Sequence, residues 1–239
     1  MIAARRKGGD AAAPRGGGKA SAARGAGRGR RVKAVEENAD TRTEILDVAT
    51  AEFAEHGLSG SRVDEIAERT RTSKRMIYYH FKSKDGLYRA ALERMHEGIR
   101  SLDSQVDVKT LSPREAIRRI TEITFDHHAD DPQFVRLVVV ENIHQARSLM
   151  KLPKIRARNA AVIVLLRSVL ERGHADGSIR RDVTALDLHM LISALCFFRM
   201  SNRYTFGYLF DCDLTSPSMR KAHREMACEV VDRYLAGGA

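Results

Sequence analysis

The sequence predicts an all-α protein: a three-helix helix-turn-helix DNA-binding head followed by a roughly six-helix ligand-binding and dimerisation body. Three observations predict that class. Apolar residues recur at intervals of three and four along most of the chain after residue 41. No stretch of useful length alternates apolar and polar residues as a strand does; Val138, Val139 and Val140 have strand propensity, but their flanks keep a helical period. Residues 61–88 read as a short helix, a tight turn, a basic and aromatic second helix, and a lysine-bearing start of a third. A helix-turn-helix uses that order to lay one helix across the DNA backbone and the next in the major groove.

The 239 residues suffice for one or two domains with a sizeable core. The net charge of +10 is unevenly placed. Residues 1–35 hold ten Lys/Arg against one acid, Asp10, and so carry +9, while the rest of the chain is nearly neutral at +1. The basic balance therefore belongs to a tail and not to a folded surface. With eight of the seventeen glycines and no aromatic residue, residues 1–40 are expected to be a disordered basic tail. Basic residues scattered through it and the lack of an apolar run exclude a secretory signal. No run reaches the ~18 apolar residues of a membrane span. Cys196, Cys212 and Cys228 are odd in number and form no CxxC pair, as expected of reduced thiols in a cytoplasmic protein.

The elements follow in order. Thr41 or Thr43 caps the first helix, Ile45, Leu46, Ala49 and Phe53 give its apolar face, and Gly57 ends it. Ser61 caps a second helix with Val63, Ile66 and Ala67 turned inward. Residues 71–73 form the turn, and Met76, Ile77 and Phe81 anchor the third helix. These make a head over residues 41–88, leaving 89–239 as the body. A longer helix starts at Ser83 or Lys84 and runs to about Ser101, with a loop over 102–112. Ser112-Pro113 opens the next helix and Asp131-Pro132 another. A helix after Pro153 ends at Gly173, residues 184–206 form a strongly apolar helix, and residues 218–235 a final amphipathic one.

The head carries the chemistry. Thr72, Ser73, Lys74 and Arg75 stand at the start of the third helix, where base edges are reached. Lys74 and Arg75 can donate to guanine O6 and N7 or to phosphates. Tyr78, Tyr79 and His80 can donate to backbone oxygens or pack on sugars and thymine methyl groups. Lys84 opposes the dipole at a helix start, which a nearby phosphate would explain, and Arg62 would also face the backbone.

Residues 72–88, Thr-Ser-Lys-Arg-Met-Ile-Tyr-Tyr-His-Phe-Lys-Ser-Lys-Asp-Gly-Leu-Tyr, resemble the recognition helix and following helix start of the TetR family of bacterial repressors. Val63, Asp64, Glu65, Ile66 and Ala67 match the helix before it, and Ile45, Ala49, Phe53 and Gly57 the first helix. Motif agreement covers about residues 41–92; beyond that it is one of helix number and spacing. The turn departs from the family, with Arg71 where Gly is usual and Thr72 where Val is common.

The resemblance implies a homodimer joined through the last two long helices, each pairing with the partner's. Leu186, Leu188, Met190, Leu191, Ile192, Leu195, Phe197 and Phe198 make the first of those helices apolar nearly all round, as a helix buried on several sides should be. It also implies a small-molecule effector held among the helices of residues 113–200 that alters the spacing of the two heads. Polar residues inside apolar runs are the candidates: His127, Glu141, Asn142, His144, Arg199 and Asn202. Equally, these residues can pair with one another or across a dimer. The C-terminal half resembles members that sense small aromatic or heteroaromatic metabolites.

The expected function is thus a ligand-responsive regulator, a repressor first, on a palindromic double-stranded DNA operator. An activator or an architectural DNA-binding protein is the alternative, since each needs the same head. The flexible tail adds non-specific DNA affinity, with Arg28, Arg30, Arg31 and Lys33 placed to enter a minor groove, or else is only a solubilising extension. An enzyme is not expected, because HExxH, GxSxG and dinucleotide fingerprints are all missing. No cofactor and no metal is expected: adjacent His127 and His128 leave a helix about 100° apart and do not readily share one ion.

Overall fold

The computed structural model describes residues 21–98 and 108–236. Among them are ten α-helices, one short 3-10 helix and no strand. Residues up to Thr43 form one unit and residues from Glu44 onward form a second.

The first helix, α1 (Ser21–Gly60), begins well before Thr41. Residues 21–40 of the expected disordered tail are therefore helical, while residues 1–20 lie outside the described residues. Extending an existing helix needs no new nucleus, although Gly25, Gly27 and Gly29 are poor helix formers. Thr43 is consequently no cap: its hydroxyl donates to the Ala39 carbonyl one turn back, at 3.0 Å. Helical geometry breaks at Gly57, whose φ of 65° lies in the left-handed region that favours glycine. Ser61 does not cap α2 (Val63–Arg69) as expected. Its buried hydroxyl donates to the carbonyls of Gly57 at 2.7 Å and Glu52 at 3.1 Å, tying the end of α1 together.

The turn after α2 puts Arg71 at φ 49°, a conformation glycine adopts without steric penalty. Arg71→Gly is expected to stabilise the fold by about 1 kcal/mol, read as a shift in the denaturation midpoint. α3 (Lys74–Phe81) starts at Ser73, whose hydroxyl accepts from the Met76 amide at 3.2 Å. Ile77 and Phe81, one turn apart, are buried against Ile45, Ala49, Phe53 and Ile66, while Met76 is half-buried. Ser83 then caps α4 (Lys84–Gly98), accepting from the Gly86 amide at 3.0 Å. A Cβ at Gly86 would lie 2.0 Å from the Phe81 carbonyl oxygen, so only glycine permits this α3–α4 junction.

Two helices of the body begin with proline after an acceptor cap, as the sequence predicts. They are α5 (Pro113–Asp130), with a Ser112–Glu115 capping box, and α6 (Pro132–Ile143), where Asp131 accepts from the Phe134 amide at 2.9 Å. After the 3-10 turn Leu149–Lys151 comes α7 (Pro153–Asp176). It passes through Gly173, the expected stop, and ends at Gly177 with φ 76°. Gly173 instead lets Ile179 pack close, since a Cβ there would meet its side chain at 2.4 Å. The expected helix over 184–206 is two helices, α8 (Ala185–Ser201) and α9 (Arg203–Phe210). The break is local: the side chains of Ser201 and Asn202 both donate to the Phe198 carbonyl, competing with the helix ladder.

α10 (Pro217–Ala236) closes the described chain. α5 and α8 pack together at the centre of the body, with α7 and α10 against both. Arg114, Arg118, Arg220 and Arg224 of the body reach Asp232 and Glu225 on α10 and Asp126, Asp130 and Glu122 on α5, an ion-pair ladder between those two helices. Burial pushes the Cys196 thiol up to about 12, and all three cysteines are free. Among the described residues no helix is long and apolar enough to cross a membrane.

Candidate nucleic-acid interface and ligand cavity

The helical period of α3 places Lys74 with Tyr78 and Arg75 with Tyr79, each pair one turn apart, while Ile77 and Phe81 hold the opposite side in the core. Lys74, Arg75 and both tyrosines are exposed, Tyr78 at 42% and Tyr79 at 60%. Large aromatics left in solvent beside cations suit a sugar-phosphate partner better than they suit water. Lys74 pairs with Asp64 of α2. Arg75 makes no ion pair among the described residues.

The remaining expected residues have mixed positions. Thr72 is half-buried in the turn, and Ser73 is occupied as the cap. His80 is half-buried, with its ring 5.2 Å from Tyr79 and 6.0 Å from Phe81. Arg62 is exposed and 4.0 Å from Glu65. Lys84 has a protein partner for its unfavourable place at a helix start: its Nζ donates to the Ser59 carbonyl at 3.4 Å. Sequence reasoning overlooked Lys82, whose Nζ donates to the Tyr79 carbonyl at 3.1 Å and lies 5.8 Å over its ring.

A cavity of about 150 Å³ lies between α4, α5, α6, α7 and α8. Its walls are mainly aliphatic, with Phe134 and four histidines, His96, His127, His128 and His189. The Phe134 ring is 5.0 Å from His127, 5.3 Å from His128 and 6.0 Å from His96. His128 is held by the Thr124 carbonyl, 2.6 Å from its Nδ1. Among the described residues no group of three or more His, Cys, Asp or Glu is placed to hold a metal ion.

Burial lowers His96 and His128 from the ordinary 6.5 to about 4. His127 is lowered too, again chiefly by burial. An unfolded chain takes up protons on these rings from about pH 6.5 downward, while the native rings resist until about pH 4. Stability is then full above pH 6.5 and falls as the pH drops through that window. Thermal unfolding followed from pH 7 to pH 4 should show this, with a shallower slope in His128→Phe.

Of the six expected ligand residues, only His127 lines this cavity. Glu141 is 2% exposed and already bound: Oε1 accepts from the Tyr88 hydroxyl at 2.9 Å, and Oε2 from the amides of Ser148 at 3.2 Å and Leu149 at 3.1 Å. Asn142 is exposed and donates to the Val138 carbonyl of its own helix. His144 is exposed at the end of α6, and Asn202 sits at the α8–α9 break. Arg199 is buried, donates to the Leu214 carbonyl and lies 4.9 Å over the Phe125 ring. It lines a second, more open cavity of about 430 Å³ with Phe198, Phe206, His223 and Met226. The sequence missed His96, His128 and His189 because they come from three helices. The adjacent His127-His128 pair is visible in the sequence, which offers His127 but not His128 as a ligand candidate.

A model described as bacterial regulatory proteins, tetR family, matches residues 45–91, and one described as tetracyclin repressor-like, C-terminal domain, matches residues 113–231. The chain is similar to the HTH-type transcriptional repressor NicS of Pseudomonas putida, 30% identical over 197 residues, 82% of this chain and 92% of that protein. It is also similar to the HTH-type transcriptional repressor SCO4008 of Streptomyces coelicolor, 29% identical over 155 residues, 65% of this chain and 76% of that protein. Among solved structures, the transcriptional regulator SCO4942 of Streptomyces coelicolor superimposes with a TM-score of 0.61 at 26% identity, covering 80% of this chain and 96% of that one. The ketosteroid regulator KstR2 of Mycobacterium tuberculosis shares the fold, with a TM-score of 0.64 at 20% identity over 82% of this chain and 95% of its own. A DNA-binding head model and a matching C-terminal model occur in order along one chain, with a relative similar over nearly its full length: the chain belongs to the TetR family of DNA-binding transcriptional regulators.

Proposed function

We propose that this regulator is a cytoplasmic repressor that binds a palindromic operator as a homodimer and is released by a small-molecule effector. The observation that carries the reading is α3. Its buried side is fixed in the core, and its exposed side offers Lys74, Arg75, Tyr78 and Tyr79 together. The repressor names of the two relatives support repression over activation. The cavity beside Phe134 and the histidines is the effector site in this reading.

The dimer reading rests on α8 and α10. α8 is apolar nearly all round but is covered on one side only: Leu186 is 66% exposed, Met190 65% and Phe198 55%. Met226 and Val230 of α10 are exposed as well. A second copy laid over this face would bury them, worth roughly 25 cal/mol per Å² of apolar surface. Two heads so joined would meet half-sites about one DNA turn apart, ~34–36 Å. Tail residues 1–35, with ten bases, would add salt-dependent affinity.

The test is a charge placed on the face. Leu186→Glu with Met190→Glu should convert a sedimenting dimer to a monomer with an unchanged helical spectrum, and weaken binding to a two-half-site duplex by roughly 100-fold or more. A wild-type chain that sediments as a monomer at micromolar concentration would overturn the dimer reading.

A further inference from the structure

The polar groups of the α4–α8 cavity select the kind of molecule it takes. A cavity of about 150 Å³ is the size known to accept one benzene ring. Ile120, Ile123, Val162, Leu165 and Ile192 give it flat aliphatic walls, and Phe134 gives an aromatic one. The lining contains no Arg, Lys, Asp or Glu. Its hydrogen-bonding groups are the four histidines with Thr124, Asn159 and Ser193; the Thr124 hydroxyl and the Asn159 amide nitrogen already donate to the Ile120 and Ile155 carbonyls of their own helices.

One of those histidines has a defined tautomer. The Thr124 carbonyl can only accept, so the 2.6 Å contact requires the hydrogen of His128 on Nδ1. A neutral ring protonated there keeps a lone pair on Nε2. Burial keeps the ring neutral, outweighing the Thr124 bond and the charge of Asp131, which favour protonation; His127 and His189 act with burial. His128, which lines the cavity, thus has an acceptor and no second donor left to offer. Nδ1 and Nε2 of His96 and Nε2 of His127 are buried and lack a hydrogen-bond partner among the described residues. His96 is also kept neutral, by burial and by the charge of Arg158, which is not in the lining. Unpaired buried nitrogens are unfavourable until something bonds to them, and that something must fit a small flat space.

We propose that this cavity takes a neutral, planar, single-ring molecule bearing an N–H or O–H group, which it donates to Nε2 of His128. The inference rests on the reading of the cavity as the effector site, and adds the class of molecule. His96 and His127, each with one donor and one acceptor nitrogen, would complete the contacts of a second polar atom on the same ring. An anion of equal size would lose its hydration without gaining a cation.

Two matched pairs of probes test this on the full chain, by ligand-observed NMR titration at pH 7.5. Phenol and toluene differ by one hydroxyl; benzamide and benzoate differ by charge at equal size. Phenol should bind about tenfold or more tightly than toluene, the difference one well-placed hydrogen bond makes, and benzamide about tenfold or more tightly than benzoate, which loses its hydration without gaining a cation. In His128→Phe the preference for phenol should vanish while toluene still binds, which also shows that the cavity survived. If that variant does not fold, the two wild-type pairs decide alone. Toluene binding as tightly as phenol, benzoate tighter than benzamide, or an unchanged preference in His128→Phe would overturn the proposal but leave the cavity as a small-molecule site. Binding of none of the four would sink the effector-site reading and this inference with it.

Discussion

Arg75→Ala is expected to lower affinity for the palindromic operator of the proposed function by roughly 5- to 150-fold, the ~1–3 kcal/mol of one specific base contact. Arg75 is exposed near the start of α3 and makes no ion pair among the described residues, so its removal should not disturb the fold. The loss should fall on one base pair of each half-site, with discrimination there relaxed and the thermal midpoint unchanged. Lys74 makes the informative contrast. It is paired with Asp64, so Lys74→Ala both removes a cation and leaves a carboxylate facing the phosphates. Its effect should be uniform across sequences and should lessen as salt rises. Fluorescence anisotropy on the operator and on single-base variants separates the two patterns. Equal loss on all sequences for Arg75→Ala would move that residue from base reading to backbone contact.

Glu141→Ala is expected to destabilise the protein by about 3–5 kcal/mol, because it orphans three hydrogen-bond donors at once. The Tyr88 hydroxyl and the amides of Ser148 and Leu149 all converge on this carboxylate. Burial and the neighbouring carboxylate hold the Tyr88 hydroxyl well above its ordinary range, so it remains a donor at every working pH. Tyr88 also packs edge-on against Phe53, with centroids 5.0 Å apart. One residue of α4 thus joins the core of the head to α6 of the body. Tyr88→Phe alone should cost about 1 kcal/mol, and the double variant less than the sum. Chemical denaturation reads all three. A Glu141→Ala protein of near wild-type stability would return Glu141 to the list of ligand residues, where its sequence context had placed it.

The parts legible in the sequence are those whose cause is local. Ile45, Ala49, Phe53 and Gly57 define a helix and its end within a dozen residues, and Ser73 with Ile77 and Phe81 defines α3. Ser112-Pro113 and Asp131-Pro132 announce their helices in two residues each. The strained turn was visible too, in an arginine standing where glycine is usual, and its φ of 49° gives the reason that position favours glycine. What was not legible depends on partners far along the chain. Glu141 meets Tyr88 from 53 positions away, and Arg199 meets the Leu214 carbonyl from 15, partners that no local pattern announces. Gly173 looked like a helix stop because nothing nearby announces Ile179 packed on it. The histidine cavity draws His96 from α4, His127 and His128 from α5 and His189 from α8, and no spacing along one helix reports such a convergence.

The central claim is sequence-specific recognition by paired heads, and selection of binding sites from random duplex DNA tests it most directly. The full-length chain at near-physiological salt is expected to recover one palindromic motif whose half-sites lie about one helical turn apart, ~34–36 Å. Recovery of unrelated sequences, with binding that disappears as salt rises, would show that only charge holds the DNA and would contradict the claim.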